Sequence, residues 1–308
     1  MTTAVVAGVD VGGTNVRALG LDADGAIVAR AGDVTPADDL EAALDLIAAV
    51  AAEVAPGGPV GVGAPGLVDL DGVLRTGANV AWRDAPIARV LTERMGRPVH
   101  LENDCTAGAF AEWQVGAAQG VGDVLYVGVG TGIGGGLIVG GRLARGAHGA
   151  AGEIGHIVVE PGGERCGCGN RGCWETVASG TAITREGRIA LTRHAHSALA
   201  AMTRDPEEVT GEMVTEAARA GDPAARGILA EVGMRLGEGI AGLVNVLDPA
   251  VVVIGGGAAE AGDLFLSPAR HAYERTAQRQ PPAPITTAAL GIDAAAIGAA
   301  LLALEAAA

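Results

Sequence analysis

The chain has 308 residues, with 21 Lys and Arg against 36 Asp and Glu, and a formal net charge of -15. A field of this sign repels nucleic-acid phosphates and anionic lipid surfaces, so we expect neither a nucleic-acid nor a membrane partner. The opening MTTAVVAGVD lacks the cationic start of a secretory signal, and we expect a cytoplasmic protein. The length allows about two domains.

The first 30 residues predict three consecutive strands. Apolar runs flank the glycine pair at 12–13 and the Asp-Gly pair at 24–25, and the second pair is a hairpin signal. No helix opens on the glycines, which argues against a dinucleotide-binding fingerprint. No Gly-Lys-Ser/Thr follows them either, which excludes a Walker A loop.

A partial repeat appears when the chain is shifted by 120 residues, because Gly12 then lies over Gly132 and Gly20 over Gly140. The second copy falls in the uncharged stretch VLYVGVGTGIGGGLIVGG at 124–141, which has the length of a membrane helix. Its eight glycines each cost about 1 kcal/mol in a helix, so we predict a strand, a loop and a strand. Duplicated lobes would explain the repeat, and chance matching among 50 glycines is the alternative.

Further elements follow from apolar periodicity. Helices are predicted at 38–54, 86–95, 106–114, 180–202 and 289–305, with two more within 211–247; strands are predicted at 60–62, 99–101 and 250–254. This mixture indicates an α/β protein. We predict a small lobe of residues 1–106 with a C-terminal helix at 295–308 packed back on it, a large lobe of residues 107–294, and a cleft between them.

Two glycine-rich turns have the composition of phosphate-binding loops. DVGGTN at 10–15 combines a carboxylate, two glycines and a hydroxyl, and GTGIGGG at 130–136 adds a second hydroxyl. Successive backbone N–H groups in such turns form anion-binding nests. Together the turns could hold a polyphosphate, with Asp10 facing Mg²⁺ through water. The alternative is a pair of ordinary tight hairpins.

Three of the four cysteines cluster in GERCGCGNRGCWE at 163–175, as Cys166, Cys168 and Cys173, while Cys105 lies far away in sequence. A disulfide framework would be denser, and in a reducing compartment this spacing favours metal ligands. A closed tetrahedral zinc site needs four ligands, so these three leave one to be found. Incidental free cysteines are the alternative.

Taken in order, DVGGTN, LENDCTAGA, GTGIGGG, GEIGH and CGCGNRGCWE resemble the sugar kinases of the ROK family (repressors, open reading frames and kinases). The match spans nearly the whole chain. It implies an actin-like, ribonuclease-H-like ATPase fold of two lobes, with ATP and Mg²⁺ as phosphoryl donor. It also implies transfer of the γ-phosphate to the 6-hydroxyl of glucose. Alternatives are a kinase for N-acetylmannosamine, mannose or fructose, or a sugar sensor without catalysis.

The resemblance implies a set of nucleotide-binding residues, which are Asp10, Gly12, Gly13, Thr14, Thr131, Gly132, Gly255, Gly256 and Gly257. It also implies that Asp104 is the catalytic base, and a positioned base is worth on the order of 10² to 10⁴ in rate. Asn103 beside it would contact the same sugar. Asn103 could instead only cap the helix that follows.

The remaining sugar-binding residues implied by the resemblance are Gly66, Asn79, Glu153, His156 and Glu175. Fixed polar groups suit a sugar, since a buried polar group left unpaired costs roughly 1 to 3 kcal/mol. The alternatives are exposed polar side chains and, at residues 65–66, an ordinary turn.

The resemblance also supplies the fourth metal ligand, His156, in a loop expected to lead into a strand HIVVE at 156–160. Its second ring nitrogen would lie near the sugar. Four protein ligands leave no open position, so we expect a structural Zn²⁺ that fixes Glu175 against the sugar. Cys105 is expected to be a small buried residue beneath Asp104.

Only nine residues precede DVGGTN, so we do not expect a member of the repressor branch. The resemblance implies a homodimer or a homotetramer.

Overall fold

This computed structural model describes residues 3–194 and 196–308. The described strands are β1 (Val6–Val11), β2 (Asn15–Leu21), β3 (Ile27–Val34), β4 (Val60–Ala64), β5 (Gly66–Val68), β6 (Leu74–Gly77), β7 (Arg83–Ala85), β8 (Val99–Asn103), β9 (Val124–Val129), β10 (Ile133–Val139), β11 (Arg142–Leu143), β12 (Val251–Gly255) and β13 (Ile285–Thr287). The described α-helices are α1 (Leu40–Val54), α2 (Ile87–Met95), α3 (Asp104–Val115), α4 (Glu175–Ala178), α5 (Gly180–Arg193), α6 (Ala198–Met202), α7 (Gly211–Arg219), α8 (Pro223–Leu247), α9 (Asp263–Thr276) and α10 (Ala294–Ala307). The predicted α/β class is confirmed.

The chain forms two compact units. Unit 1 comprises the chain up to Tyr126, Gly135–Gly152 and Ala288–Ala308, and unit 2 comprises Val127–Gly134 and Glu153–Thr287. The predicted lobes of 1–106 with 295–308, and of 107–294, stay a prediction, and residues 1–2 lie outside the described residues. The structure contains two five-stranded sheets, of order β3-β2-β1-β4-β8 and β11-β10-β9-β12-β13, and a three-stranded sheet β5-β6-β7.

The first sheet combines antiparallel and parallel pairs. β1, β2 and β3 are antiparallel neighbours, and Gly25 takes a φ of 81° in the predicted hairpin turn. β4 pairs in parallel with both β1 and β8. Because parallel strands end at the same edge, the carboxyl ends of β1, β4 and β8 meet there, which is where ligands bind in open α/β sheets.

Alternation along β1 divides its side chains between two packed faces. Val9 and its i±2 neighbours pack in the core that includes Leu44 and Ile47 of α1. The opposite face packs on α10, and Val6 belongs to the same hydrophobic cluster as Ile297 of that helix. α10 approaches this face closely, because a Cβ at Gly8 or Gly61 would overlap the carbonyl oxygen of Ala296 or Ala299 respectively.

Two predicted helices differ from the structure. The 180–202 stretch is broken, because α5 ends at Arg193 and the Ser197 hydroxyl then accepts the Ala200 N–H at 3.1 Å to begin α6; residue 195 lies outside the described residues. The final helix begins at Ala294 rather than 289. The Glu112 carboxylate accepts the N–H groups of residues 289 and 290, at 3.0 and 2.8 Å, which holds that segment out of the helix.

The predicted strand HIVVE does not form. Residues 154–156 make a 3₁₀ turn, and Val158 forms an isolated bridge with Cys173. The Val159 and Glu160 N–H groups both donate to the carbonyl of Gly172, so the cysteine loop occupies the hydrogen-bonding groups that a strand partner would need.

The predicted strand, loop and strand at 124–141 are confirmed as β9 and β10. Within the described residues, no helix combines the length and the hydropathy needed to span a membrane.

The packing of α10 generates a stability prediction. Gly61→Ala should lower the free energy of unfolding by about 1 to 3 kcal/mol, because the added methyl group must push the α10 backbone off the sheet. Gly57→Ala is the matched control in the same unit, since a Cβ there meets nothing within 4 Å. Denaturant midpoints measure both, and equal midpoints for the two variants would contradict the packing argument.

Candidate functional site

In unit 1, the carboxyl edge of the first sheet brings together the predicted carboxylates. Asp10 pairs with Gly63 in the register of β1 and β4, and Ala64 pairs with Asn103 in the register of β4 and β8. Asp104 follows directly as the first residue of α3. A Cβ at Gly63 would lie 3.6 Å from the Asp104 Cα, which is van der Waals distance, so the start of α3 lies close to β4 at this point.

Asp10 is the carboxylate most altered by its surroundings. Its side chain is 15% exposed, and its Oδ2 lies 3.9 Å from Arg17 Nη1. Burial, and secondarily the charge of Asp104, raise the pKa of Asp10 to about 7, while Arg17 opposes the rise. Asp10 thus has a second carboxylate, that of Asp104, in its neighbourhood, and carboxylate oxygens are ligands that suit Mg²⁺.

Asn103 uses both ends of its amide. Its Oδ1 accepts the Thr106 N–H at 2.9 Å as the cap of α3, and its Nδ2 donates to the Gly66 carbonyl at 3.0 Å. The capping alternative is therefore realised. Gly66 has a φ of 116°, and a Cβ there would overlap the Thr76 carbonyl, so the turn requires glycine.

The DVGGTN turn is closed by a residue that the sequence did not single out. Thr35 Oγ1 donates to the Gly12 carbonyl at 2.7 Å, and the Thr35 N–H donates to the Thr14 carbonyl at 2.8 Å. On the other side, a Cβ at Gly13 would overlap the Cβ of Asn79. The structure thus places Asn79, a predicted sugar-binding residue, against the predicted phosphate turn. No sequence signal at Thr35 distinguishes it from other strand-end threonines.

In unit 2, the second predicted phosphate loop lies beside the glycine run 255–257. The Gly130 N–H donates to the Gly132 carbonyl at 3.0 Å, closing a tight turn that leaves Thr131 exposed. Gly256 has a φ of 87°, and a Cβ there would overlap the backbone of Val129, directly before that turn. Gly255 ends β12, and Gly257 begins a 3₁₀ turn. The structure thus brings the predicted nucleotide-binding residues of unit 2 together.

His156 and the three clustered cysteines also converge in unit 2. Their ligand atoms all lie within 4.8 Å of one another. His156 Nδ1 is 3.6 Å from Cys166 Sγ, and Cys168 Sγ is 3.6 Å from Cys173 Sγ. Tetrahedral bonds of about 2.3 Å to sulfur and about 2.1 Å to nitrogen place neighbouring ligand atoms roughly 3.6–3.8 Å apart, so the four residues fit zinc.

The cysteine loop holds this geometry through its backbone. The Cys166 N–H donates to the Asn170 carbonyl at 2.9 Å, and the Gly172 N–H donates to the Glu164 carbonyl at 2.8 Å. Gly172 has a φ of 74°, and a Cβ there would overlap the carbonyl of Glu160. A side chain at this position would therefore open the loop and separate Cys173 from the other ligands.

Two carboxylates flank His156, one near each ring nitrogen. Nε2 lies 3.5 Å from Glu153 Oε2, and Nδ1 lies 3.4 Å from Glu175 Oε1. Burial, with a smaller contribution from Glu175, raises the pKa of Glu153 although His156 opposes the rise. A carboxylate near the outer nitrogen of a metal-bound imidazole fixes its tautomer and orientation.

Sequence reasoning missed an ion pair beside the predicted base. Arg145 Nε donates to Glu102 Oε2 at 2.6 Å, and Glu102 is 5% exposed. Burial alone would raise the pKa of Glu102, but His100, whose Nε2 lies 3.8 Å from Oε2, and the hydrogen-bonded Arg145 outweigh burial and hold the pKa below its usual range. The pair ties β8, the strand directly before Asp104, to the loop after β11. The only local signal for this pair was Glu102 itself, in LENDC, because its partner Arg145 lies 43 residues further along the chain.

A model of the ROK family matches residues 6–306, and the chain belongs to this family. A glucokinase of Streptomyces coelicolor is 37% identical over 308 residues, with 97% of each chain covered. The crystal structure of a ROK family glucokinase from Streptomyces griseus, in complex with glucose and AMPPNP, superposes with a TM-score of 0.89 at 38% identity, covering 98% of this chain and 99% of that one. A putative xylose repressor of Caldicellulosiruptor is 36% identical over 219 residues, which cover 70% of this chain and 54% of the repressor. The predicted family and fold class are confirmed.

The raised pKa of Asp10 predicts a pH-dependent stability. The folded group titrates at about 7 and the unfolded one near 3.8, so the folded protein retains a proton that the unfolded chain releases. Stability of the wild type therefore falls as pH rises from about 4 to 7. Asp10→Asn should raise the free energy of unfolding by roughly 2 kcal/mol at pH 8, and this gain should shrink towards pH 4.

Denaturant titrations at pH 8 and pH 5, without nucleotide or added metal, measure this difference. Asp33→Asn, which removes an exposed carboxylate of the same unit, is the control and should stay within about 0.5 kcal/mol of wild type at both pH values. A gain for Asp10→Asn that is the same at both pH values would contradict the titration argument.

Proposed function

We propose that this protein is a glucokinase, which transfers the γ-phosphoryl group of ATP to the 6-hydroxyl of glucose and releases ADP and glucose 6-phosphate. The observation that carries the proposal is the carboxyl edge of β1, β4 and β8, where Asp104, Asn103 and Asp10 converge in a ROK chain. The full-length similarity to glucokinases supports glucose as the sugar.

In unit 1, we assign Asp104 as the base. Its carboxylate would accept the proton of the 6-hydroxyl as that oxygen bonds to the γ-phosphorus and the bond from phosphorus to the ADP oxygen breaks. Asn103, Gly66 and Asn79 are assigned to sugar binding, and the hydrogen bonds already made by Asn103 fix its amide before sugar arrives. Such preorganisation spares the cost of orienting the group during catalysis.

The phosphate turn of unit 1 is assigned to the nucleotide. Gly13 and Thr14 would offer backbone N–H groups and a hydroxyl to phosphate oxygens. Gly12, whose N–H donates to the Asn15 carbonyl at 2.9 Å, would close the turn and let a phosphate approach its backbone. Asp10 would hold Mg²⁺ through water, and the ion would neutralise charge on the phosphates. The raised pKa of Asp10 fits this assignment, since a buried carboxylate beside a second one gains most from a neighbouring cation.

In unit 2, Thr131 and Gly132 are assigned to nucleotide phosphates, and Gly255, Gly256 and Gly257 to the neighbourhood of the adenosine. We assign Glu153, His156 and Glu175 to the sugar hydroxyls. Zn²⁺ on His156, Cys166, Cys168 and Cys173 would be structural, since four protein ligands leave no open position. Its contribution would be to fix His156 and Glu175 in place.

Two alternatives remain to be tested. Another hexose, such as mannose, fructose or N-acetylmannosamine, would use the same base. A sugar sensor without catalysis is the second, and the similarity to a putative xylose repressor favours it over other non-enzyme functions. The carboxylates at 10 and 104 favour catalysis, because a sensor needs neither a base nor a magnesium site.

We propose a cytoplasmic homodimer or homotetramer without a nucleic-acid or membrane partner. The net charge of -15 supports the last two points, because phosphate-rich surfaces repel an acidic protein. Family resemblance alone supports the oligomer, and light scattering of the purified chain measures it.

A coupled ATP assay over a panel of hexoses tests the proposed activity, with polyphosphate as an alternative donor. Glucose should give the highest kcat/KM, and Asp104→Asn should lower kcat by on the order of 10² to 10⁴ while glucose affinity changes little. Asp71→Asn, an exposed carboxylate of unit 1, is the matched control. ADP release that no sugar stimulates would contradict the kinase, and near-normal activity of Asp104→Ala would remove that residue from its role.

Removal of a metal ligand gives a second test. Cys168→Ser should lose zinc and glucose phosphorylation together, because the remaining ligands no longer close the site around His156. Cys105→Ser is the control for metal content, since Cys105 lies outside the cluster, and it should retain one zinc per chain by elemental analysis. Full activity in zinc-free protein would show that the metal does not position the sugar-binding residues.

A further inference from the structure

The carboxylate of Glu102 holds two groups at the end of β8. Its Oε1 accepts the Asn103 N–H at 3.2 Å, and its Oε2 accepts from Arg145 Nε at 2.6 Å. The Glu102 side chain is 6% exposed. Low exposure strengthens both bonds, because little water competes for the carboxylate oxygens. Glu102 therefore restrains the peptide group between residues 102 and 103.

Arg145 is itself held in place, which lets it anchor the Glu102 carboxylate. The Arg145 carbonyl accepts the Ala151 N–H at 3.1 Å, which closes a loop of residues 145–151. Gly149 has a φ of 82°, and a Cβ there would overlap the carbonyl oxygen of Val68. The loop of residues 145–151 thus packs against the end of β5.

β5 completes the set of contacts around Asn103. The strand begins at Gly66, whose carbonyl accepts from Asn103 Nδ2 at 3.0 Å. Asn103 is therefore held by its side chain to β5 and by its backbone N–H to Glu102. These contacts, and the loop of residues 145–151, all lie within unit 1.

The direction of the Asp104 carboxylate depends on the same stretch of backbone. Its Oδ1 accepts the Cys105 N–H at 2.7 Å, so the start of α3 orients the carboxylate. A shift of the peptide group between residues 102 and 103 would move that start and turn the carboxylate with it. Misplacement of a reacting group by about 1 Å costs on the order of 10² in rate.

We propose that Glu102 is a positioning residue for phosphoryl transfer, which acts through Asp104 by holding the Asn103 N–H while Arg145 anchors its carboxylate. The inference rests on the proposed function, in which Asp104 is the base. Glu102 contacts the backbone beside Asp104 and takes no proton from the sugar.

A positioning role differs from a merely structural one in a measurable respect. A residue that only stabilises the fold changes the amount of folded enzyme, and it lowers kcat by the same factor whichever residue stands at position 104. A residue that acts through Asp104 loses its effect on kcat once the base has been removed. Such non-additivity identifies residues that act as one unit.

The test is a double-variant cycle at saturating ATP and glucose, with wild type, Glu102→Ala, Asp104→Asn and the double variant. Glu102→Ala should lower the kcat of the wild type roughly ten- to hundred-fold, as a misplaced base would. In the Asp104→Asn background the same substitution should lower kcat less than about three-fold. The KM for ATP should stay unchanged, because the phosphate turn at 10–15 keeps its own hydrogen bonds.

Replacement of Arg145 tests the anchor. Arg145→Ala should lower kcat in the same direction as Glu102→Ala and should add little to it in the double variant, because both substitutions release the same carboxylate. Arg142→Ala is the matched control, since Arg142 is an exposed arginine three residues earlier in unit 1, and it should keep the kcat of the wild type.

The outcomes separate this inference from the proposed function. If the wild type is active and Glu102→Ala lowers kcat by the same factor in both backgrounds, or does not lower it at all, the positioning role is overturned and the kinase assignment stands. If Arg145→Ala lowers kcat equally with and without Glu102, Arg145 is not the anchor of the carboxylate and the proposed arrangement is overturned. A wild type that phosphorylates no sugar overturns the proposed function together with this inference.

A variant that keeps the charge covers the case in which Glu102→Ala shows no cooperative unfolding transition. Glu102→Asp is one methylene too short to hold the Asn103 N–H and Arg145 together, so it takes the place of Glu102→Ala in the same cycle. It should give the same pattern, with kcat lowered in the wild type and nearly unchanged in the Asp104→Asn background. Equal factors in the two backgrounds would overturn the inference here as well.

Discussion

The close approach of α10 to the first sheet is the contact on which unit 1 depends. It is possible only because Gly8 and Gly61 present bare backbone to the helix carbonyls. Asp10 lies on the same face of β1 as Gly8, two residues further on, so the helix that covers the glycines also helps to bury the carboxylate. Burial then raises the pKa of Asp10, so that a nearby cation would stabilise its ionised form. The close packing of α10 on the sheet thus contributes to the raised pKa of Asp10.

In unit 2, the segment of residues 154–175 depends on a different kind of restraint, which is the His–Cys₃ cluster. The stretch directly after His156 buries little apolar surface, since Ile157, Val158 and Val159 are 46%, 47% and 44% exposed. Backbone bonds hold the cysteine loop and place it beside His156, since the Trp174 N–H donates to the Ile157 carbonyl at 2.8 Å, but they do not orient the imidazole ring towards the cysteine sulfurs. Metal coordination can supply that restraint, because zinc binding in small peptides is worth about 10 to 16 kcal/mol. A bound metal would therefore restrain the side chain of His156 at a place where the neighbouring residues 157–159 are too exposed to pack it.

The sequence predicted features that depend on local pattern and missed those that depend on distant partners. The hairpins, the capped helix after Asn103 and the glycine loops follow from turn chemistry within a few residues. The ion pair of Glu102 with Arg145, and the hold of Glu112 on residues 289–290, join positions far apart in the chain. His156 was found only through family resemblance, since a histidine ten residues from a cysteine has no local signature as a ligand.

Asn103 shows why a structural and a functional interpretation of one residue need not compete. Its Oδ1 caps α3 and its Nδ2 holds the carbonyl of Gly66, so its rotamer is fixed from both ends of the amide. Each of the two groups keeps further hydrogen-bonding capacity, one lone pair and one N–H. A side chain fixed in this way can offer that capacity to a ligand without a further loss of rotamer entropy. The helix cap is thus what would orient the Asn103 amide for a sugar hydroxyl, so the capping role and the sugar-binding role are compatible.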